Sequence, residues 1–339
     1  MKELVEALCS DECAGRAPGT AGGKIARRIV RDALRDAGLD SFEQAVPGCG
    51  GANVLATIKG DIDRWILVAA HYDHLGTMGG QIFRGADDNA AAVAILVEVA
   101  RALARRRADG RGVIIAAFDS EEPPYFLTPA MGSEHYARHP TVPLDKIDLM
   151  VCMDLVGHDL GSSLAPDPVA GTVFALGAER SAGTLETLRA TTAEGLWVRP
   201  ADAEIIPPLS DYAGFWQRER PFLLLTNGRS HVYHTPQDVP RELAWAKMDA
   251  TATWLEAFVR ANCSRDEGAF RFQNRTHDLC TLDSLTSLLE PLAAFDPRAK
   301  VGLALARDLR GSVQRDKTLP RHRHAELAML VANIESGLA

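Results

Sequence analysis

Two histidines and an aspartate come directly after an apolar run near residue 70. The run WILVAA at 65–70 is typical of a buried strand, and the polar segment HYDHLG at 71–76 follows it without a break. Imidazole and carboxylate groups are ligands that zinc and related ions prefer in proteins. The simpler interpretation is a strand that ends in an ordinary polar loop, and the rest of the chain has to distinguish the two.

The same arrangement, polar residues beside an apolar element, occurs four more times. Each instance alone has a structural interpretation: paired aspartates can cap a helix, paired glutamates are commonly solvated, and one histidine is more often hydrogen-bonded than metal-bound. Together the segments supply the number and types of ligands that two zinc ions need. The four segments are GADDNA (85–90) with Asp87 and Asp88, FDSEE (118–122) with Glu121 and Glu122, MDLVG (153–157) with Asp154, and VYHTPQD (232–238) with His234.

Strands and helices must alternate to bring these segments together. Apolar runs predict strands at 53–60, 64–74, 111–122, 147–157, 172–178 and 220–228, and helical periodicity predicts helices at 21–38, 87–107, 182–195 and 240–263. This alternation predicts an α/β fold with a mainly parallel mixed central sheet and helices on both faces. In such sheets ligands bind beyond the carboxyl ends of the strands. Acids converging there would repel one another unless divalent cations lay between them.

The chain changes character after about residue 264. The segments 281–295, 298–311 and 323–339 have helical apolar stripes, and no strand is predicted among them. We therefore expect two parts, an α/β domain over 1–264 that carries the candidate two-zinc site and a helical C-terminal extension over 265–339. The stripes need a partner surface, and we expect them to pack on the same chain with some part near the pocket rim. Pairing with a second chain is left open.

Composition narrows the class of protein. Of 339 residues, 46% are hydrophobic and 24% are charged, and the formal net charge is −8. A general nucleic-acid or anionic-membrane binder would carry a basic face, so neither partner is expected. The six cysteines show no metal-binding spacing, and no apolar run is long enough to span a membrane. We expect a cytoplasmic protein with reduced thiols, although a chain trimmed of a leader would give the same sequence.

The five polar segments, in this order, resemble the site motifs of the co-catalytic di-zinc aminopeptidase family. That family includes bacterial leucyl-type aminopeptidases, and its relatives include glutamate carboxypeptidases, the transferrin receptor and glutaminyl cyclases. The stretch SDECAGRAPGTAGGKIA (10–26) also resembles the family's opening region, so the resemblance covers roughly residues 1–262. It implies a zinc-peptidase type of fold and two Zn²⁺ ions per chain.

The resemblance also implies a role for each polar residue. Asp87 matches the carboxylate that bridges the two ions, and Asp88 matches the residue joined to it, often by a cis peptide. Glu121 matches the general base that takes a proton from the attacking water, and Asp73 matches the carboxylate that orients a liganding histidine. Tyr233 is expected to help stabilise the oxyanion. The expected metal ligands are His71, Asp87, Glu122, Asp154 and His234.

Two departures from the family pattern concern the substrate. The insert PPYFLTPA (123–130) lengthens the segment after the paired glutamates, and Tyr212 stands where the family usually carries histidine. Prolines should stiffen the insert, and its aromatic residues should provide apolar walls for the first residue of a substrate. The expected substrate-binding residues are Tyr125, Phe126 and Asp211.

The function implied by the resemblance is metal-dependent release of single apolar residues from free N-termini of peptides or small aminoacyl amides. One alternative is a glutaminyl-peptide cyclase, which would hold a single zinc. Cyclases typically replace the equivalent of Asp88, whereas this chain keeps the second acid. Another alternative is a non-catalytic, receptor-like relative. Such relatives lose ligands, and here each predicted ligand position is filled.

Overall fold

A mixed β-sheet forms the centre of the protein. The computed structural model describes residues 1–338, apart from the side chains of Glu267 and Ala269. The strands are β1 Ser41–Val46, β2 Gly51–Ile58, β3 Ile62–His71, β4 Gly76–Met78, β5 Gln81–Phe83, β6 Arg111–Phe118, β7 Ile147–Met153, β8 Thr172–Leu176, β9 Trp197–Ala201 and β10 Phe222–Thr226. Within residues 1–338, eight of them form one sheet in the order β1-β2-β6-β3-β7-β10-β8-β9, and β4 pairs with β5 in a separate hairpin.

Helices surround this sheet. They are α1 Lys2–Leu8, α2 Ala21–Asp36, α3 Ala91–Arg105, α4 Gly132–Arg138, α5 Asp167–Ala170, α6 Thr184–Ala190, α7 Ala213–Gln217, α8 Trp245–Cys263, α9 Asp278–Leu289, α10 Pro297–Gly311 and α11 His324–Leu338. Side chains alternate across β3, so that Ile66 and Val68 belong to one core cluster and Leu67 and Ala69 to another. The sheet is therefore buried on both faces, as the continuous apolar strands predict.

The four central strands run parallel. β3 pairs in parallel with β6 and with β7, and β7 pairs in parallel with β10. β2 joins β6, and β8 joins β10, in antiparallel pairs toward the two sides of the sheet. This arrangement confirms the predicted α/β fold with a mainly parallel mixed sheet. It also puts the carboxyl ends of β3, β6 and β7 side by side.

The long buried strands and helices predicted from the sequence are present, although most are shorter than predicted, and short exposed strands were missed. β1 and β9 were not predicted, since their residues alternate between exposed and buried positions or lie at a sheet edge. The helix predicted over 182–195 is confined to α6. The helix predicted over 87–107 begins regularly only at Ala91, because Asp88 and Asn89 have non-helical backbone angles. Local sequence alone does not encode that break.

The three C-terminal helices pack on the α/β part of the same chain. Their apolar stripes form a cluster that includes Leu160 and Val169, which precede β8. On α9, the Ser284 hydroxyl donates to the Pro200 carbonyl at 2.6 Å and the Thr281 hydroxyl accepts the Asp202 amide at 2.8 Å. Among residues 1–338, no helix combines the length and the apolar character that a membrane crossing requires.

Candidate metal centre

Three parallel strands end at one edge of the sheet and present polar side chains there. His71 is the last residue of β3, Glu121 and Glu122 follow β6, and Asp154 follows β7. The Nε2 atom of His71 lies 3.5 Å from an Asp154 carboxylate oxygen and 3.9 Å from a Glu121 carboxylate oxygen. The structure thus brings together side chains that are separated by up to about one quarter of the chain.

Asp73 fixes the turn that presents the two glutamates. Its carboxylate accepts hydrogen bonds from the backbone amides of Glu121 at 3.0 Å and Glu122 at 3.1 Å. The same carboxylate lies 3.6 Å from His71 Nδ1, beyond hydrogen-bond length. Orientation of His71 by Asp73 therefore stays a prediction, and the observed contacts join the loop after β6 to the loop after β3.

Asp88, and not Asp87, lies between the candidate ligands. One carboxylate oxygen of Asp88 is 3.5 Å from His71 Nε2, and the other is 3.1 Å from His234 Nε2. The predicted bridging residue is therefore corrected from Asp87 to Asp88. Two groups of side chains have possible ligand atoms within 4.8 Å of one another, and both contain Asp88: His71 with Asp88 and Asp154, and His74 with Asp88 and Glu122.

The Asp87 side chain is directed to the loop after β7 instead. Its carboxylate accepts the Gly157 amide at 2.7 Å and contacts His158 Nδ1 at 2.7 Å. A side chain at position 157 would collide with this arrangement, since an added Cβ would lie 2.6 Å from Ala91 Cβ and 2.9 Å from an Asp87 oxygen. Two consecutive residues at the start of a helix direct their side chains differently, so only the fold distinguishes the two aspartates.

The expected cis peptide is also displaced by one position, since it joins Asp88 to Asn89. The sequence argument against a glutaminyl cyclase therefore no longer holds. The second acid of GADDNA does not separate this chain from the cyclases, because Asp88 itself takes the bridging position and a neutral residue follows it.

Asp238 holds the backbone of both aspartates. Its carboxylate accepts the Asp87 amide at 2.8 Å and the Asp88 amide at 3.1 Å. Asp238 lies four residues after His234 in the same turn. One short segment therefore supplies a candidate ligand and positions the carboxylate that this ligand faces.

His74 belongs to the site, although the sequence left it without a role. Its Nδ1 atom lies 2.8 Å from one Glu122 oxygen and 3.8 Å from an Asp88 oxygen, and its side chain is fully buried. Gly85 permits this placement, because it has φ +55° and an added Cβ would lie 2.5 Å from the His74 ring. The available signal in the sequence was that the segment HYDH contains a second histidine, His74, close to His71 and Asp73.

Burial and neighbouring charges both shift the pKa values of the histidines and carboxylates at the site. Burial would raise the pKa of Glu122, but the contacts with His234 and His74 outweigh it and lower that pKa. Burial would lower the pKa of His234, whereas its contacts with Asp88 and Glu122 raise it to about 9. Burial, reinforced by the charge of Glu122, raises the pKa of Asp88 to about 7. Protons thus compensate these carboxylates where cations would otherwise do so.

Several unpaired atoms show that the donor set fits divalent cations. Buried polar atoms in proteins nearly always have hydrogen-bond partners. In residues 1–338, both ring nitrogens of His71, Nε2 of His74 and Oδ1 of Asp154 are buried without one. Imidazole nitrogen and carboxylate oxygen are the donors that zinc binds at structural and catalytic sites. The geometry and chemistry of the residues therefore suit metal ions of this class.

Glu121 and Asp211 are buried carboxylates behind this ligand set. Burial is the main cause that raises the pKa of Glu121 well above its usual range, and it raises the pKa of Asp211 to about 7. Asp211 is only 1% exposed. Direct binding of a substrate by Asp211 stays a prediction, and the charges of His71 and Asp154 act on its carboxyl group.

An apolar cavity of about 550 Å³ adjoins the metal centre. Asp154 and Tyr233 belong both to its wall and to the centre, and the Tyr233 ring stacks on the His234 ring at 3.8 Å. Tyr125 and Phe126 lie outside the lining of this cavity. The Tyr125 amide donates to the Glu122 carbonyl at 3.0 Å, which forms a tight turn in the insert, and the apolar wall expected from Tyr125 and Phe126 stays a prediction.

Tyr212 explains the second departure from the family pattern. Its hydroxyl donates to the Pro207 carbonyl at 3.1 Å and accepts the Leu209 amide at 3.3 Å. Pro207 and Leu209 both line the cavity. A residue that replaces histidine therefore holds the cavity wall in place, and the substitution concerns the pocket and not the ligand set.

Arg16, in the opening motif, connects the two loops that carry His71 and Asp88. Its guanidinium donates to the carbonyls of Tyr72 at 2.7 Å and Gly85 at 2.9 Å, and it is fully buried. Arginine presents five donors in a rigid plane, which suits several carbonyls at once. The motif GRAPGT, quoted from the sequence only for its resemblance, thus has a positioning role.

A model of Peptidase family M28 matches residues 53–259. The chain belongs to peptidase family M28. The matched range contains all of the candidate ligands described above, and it ends before α9. This membership confirms the resemblance found in the five sequence motifs.

Curated relatives within this family differ in what their names record. The Escherichia coli protein YfbL, which is uncharacterized, is 29% identical over 229 residues, covering 60% of this chain and 70% of YfbL. A glutaminyl-peptide cyclotransferase of Drosophila melanogaster is 26% identical over 233 residues, covering 61% of this chain and 64% of that protein. The chain therefore spans less than two thirds of the length of that cyclotransferase.

Solved structures share the fold. The LapA aminopeptidase of Legionella pneumophila superposes with a TM-score of 0.62 at 16% identity, over 79% of this chain and 73% of LapA. A Zn-dependent exopeptidase from Parabacteroides distasonis gives a TM-score of 0.57 at 18% identity, over 78% of this chain and 98% of that protein. At these identities the likeness establishes architecture alone.

Proposed function

We propose that this protein is a metal-dependent aminopeptidase that removes single apolar residues from unblocked N-termini. The observation that carries the proposal is the pair of ligand groups that share Asp88, placed beside the buried Glu121 and an apolar cavity. Membership of a peptidase family supports hydrolysis of a peptide bond, and the exopeptidase and aminopeptidase folds support attack at a chain end.

Two metal positions follow from the ligand groups. His71 and Asp154 would hold one ion, Glu122 and His234 would hold the other, and Asp88 would contact both. His74 would orient Glu122 through the 2.8 Å contact, or bind the second ion itself. When bound, the two ions would lower the pKa of a water and polarise the substrate carbonyl.

Glu121 is placed to act as the general base. It follows the last residue of β6 closely, it lies beside His71, and it is not part of either ligand group. Burial raises the pKa of its carboxyl group, so the Glu121 carboxylate is a stronger base that can accept a proton from the water and then return it to the leaving amine. Asp73 holds the Glu121 amide and so fixes the direction from which this carboxylate approaches.

The free amine and the first side chain of the substrate would face different surfaces. The acidic groups around Asp154 attract an ammonium group, while the adjoining cavity offers apolar walls to the side chain. Tyr233 lies between them, with its hydroxyl available for the carbonyl oxygen of the scissile bond. This division explains why a free N-terminus and an apolar first residue would both be required.

Glutaminyl-peptide cyclisation is the second candidate function. It is favoured by the cyclotransferase relative and by the neutral residue Asn89 after the bridging carboxylate. Against it stands the complete second ligand group of His71, Asp88 and Asp154, which a single-ion enzyme would not need. Both reactions start from a free N-terminal amine, so the products have to distinguish them.

A panel of paired peptides tests the proposal. Peptides beginning with leucine, alanine or glutamine, each with a free or an acetylated N-terminus, are incubated with protein reconstituted with zinc, and the products are identified by mass spectrometry. We expect release of the first residue from the free leucyl peptide and no reaction of its acetylated counterpart. Metal analysis should approach two equivalents per chain.

The same panel can contradict the proposal. Equal cleavage of free and acetylated peptides would show that the amine is not recognised. Loss of ammonia from the glutaminyl peptide, with one stable equivalent of zinc and no cleavage of the leucyl peptide, would establish the cyclase alternative. A Glu121→Gln variant with unchanged metal content serves as the control for contaminating peptidases.

A further inference from the structure

The C-terminal helix α11 forms part of the wall of the cavity that adjoins the metal centre. The positions concerned recur with the helical repeat, at 328, at 331 and 332, at 334 and 335, and at 338, so they lie along one face of the helix. This helix lies beyond the range matched by the family model. The lining residues on α11 are Ala328, Val331, Ala332, Ile334, Glu335 and Leu338.

The rest of α11 is anchored to the protein. Leu327 and Leu330 are buried in the cluster formed with α9 and α10. The Gly161 amide, in the loop that follows β7, donates to the Leu338 carbonyl at 2.9 Å. The helix is therefore fixed at both its apolar face and its end, and it presents a rigid surface to the cavity.

Small side chains on this surface leave the cavity long. Ala328 and Ala332, one turn apart, are both exposed and both line the cavity. The volume of about 550 Å³ lies within the range of about 300–1,000 Å³ typical of pockets that enclose whole small molecules. Such a cavity exceeds what a leucyl side chain would fill.

The remaining wall is also apolar. Leu160, Phe174 and Leu285 line the cavity from the α/β part and from α9, and apolar residues outnumber the polar ones in its lining. An occupant that enters beside Asp154 would therefore meet hydrocarbon along its length. A long aliphatic or aromatic side chain satisfies this requirement, whereas a charged one would lose its hydration.

We infer that α11 sets the size of the first residue that the enzyme accepts, and that the substrates carry a long unbranched or aromatic apolar side chain at a free N-terminus. This inference rests on the proposed aminopeptidase function. Each methylene transferred from water into the cavity improves kcat/KM by about fourfold until the chain reaches α11.

A homologous series of substrates measures this length. The 4-nitroanilides of (S)-alanine, (S)-2-aminohexanoic acid and (S)-2-aminooctanoic acid are compared for the wild-type protein, for Ala332→Phe, and for the matched control Ala325→Phe. Ala325 is an exposed alanine on the same helix and lies outside the cavity lining. Zinc content and melting temperature are determined for all three proteins.

For the wild-type protein, kcat/KM for the 2-aminooctanoyl substrate should exceed that for the alanyl substrate by about two orders of magnitude or more. Ala332→Phe should remove most of this preference, and Ala325→Phe should retain it. A preference that is absent in the wild-type protein, or unchanged in Ala332→Phe, would overturn the inference and leave the aminopeptidase proposal standing. Hydrolysis of none of the three substrates by the zinc-loaded wild type would overturn the proposed function itself.

Binding of the product gives a second readout, which does not depend on turnover. (S)-2-Aminooctanoic acid should bind the wild-type protein and Ala325→Phe more tightly than alanine does, as measured by calorimetry. If Ala332→Phe fails to fold, Val331→Trp is tested in its place against the same control. Equal affinity for the two amino acids in the wild-type protein would contradict an apolar chain in the cavity.

Discussion

The metal centre and the apolar cavity beside it share Asp154 and Tyr233 but are built in different ways. The centre is assembled from loops that directly follow parallel strands, and buried hydrogen bonds join these loops to one another. The cavity wall is assembled from distant parts of the chain, including a helix outside the family match. The candidate ligands thus come from local motifs, while the cavity beside them depends on tertiary packing.

The two neighbouring aspartates give the largest expected contrast at the metal centre. Asp88→Asn should lower the metal content below one equivalent and reduce kcat/KM by about four orders of magnitude, since both ligand groups lose their common member. Asp87→Asn should reduce kcat/KM by about ten- to a hundredfold, the range for residues that support ligands without binding metal. Equal losses of metal in both variants would contradict the assignment of Asp88 as the bridge.

Glu121 tests whether chemistry and metal binding can be separated within the centre. Glu121→Gln should keep both ions and lose about two to four orders of magnitude in kcat, because only proton transfer is removed. Metal analysis and kcat are measured on the same preparation. Loss of zinc from this variant would mean that the roles of the paired glutamates are exchanged, and Glu122→Gln serves as the comparison that should lose metal.

The candidate centre could be predicted from the sequence because its polar residues directly follow recognisable apolar strands. Apolar strands that end in His71, the Glu121–Glu122 pair and Asp154 share one sheet edge for reasons of topology, so their convergence could be predicted. The distinction between Asp87 and Asp88 could not, because it depends on non-helical angles at one residue. His74 was missed for a similar reason, since only the fold shows that its ring faces Glu122.

The wall of this cavity has no local signal in the sequence. Tyr125 and Phe126, which are aromatic and close in sequence to the ligands, are not among its lining residues, and their contact with a substrate stays a prediction. The residues that line the cavity include ordinary alanines of α11, which no motif marks. The C-terminal helices were predicted from their apolar stripes, together with their packing on the same chain near the pocket rim, and the structure places α11 in the cavity wall.

Metal affinity should rise with pH, because a proton competes with the metal ion for one of its candidate ligands. In the metal-free protein His234 has a pKa of about 9, so it is protonated at pH 7 and a metal ion must displace that proton. Affinity for the ion at His234 should therefore rise by about a hundredfold from pH 7 to pH 9, or tenfold per unit. Competition with a chelator of known pH dependence measures it, and a flat profile would contradict a protonated His234.

A smaller effect on substrate preference, without loss of metal, is expected from a residue that supports only the cavity wall. Tyr212→Phe removes the hydroxyl that holds Pro207 and Leu209, at a cost of about 1 kcal/mol in the free energy of unfolding. Since these two residues line the cavity and bind no metal, the ratio of octanoyl to alanyl turnover should fall a few-fold while zinc content is unchanged. Chemical denaturation and the two nitroanilides measure these quantities.

The matched control for this variant is Tyr136→Phe. Tyr136 is buried in the same core cluster, and its hydroxyl pairs with the Thr141 hydroxyl at 3.1 Å, away from the cavity lining. This substitution should cost a similar amount of stability and leave the substrate ratio as it is in the wild-type protein. If both variants changed the ratio equally, general loosening of the core would explain the effect, and the separate control of substrate size by the cavity wall would have to be abandoned.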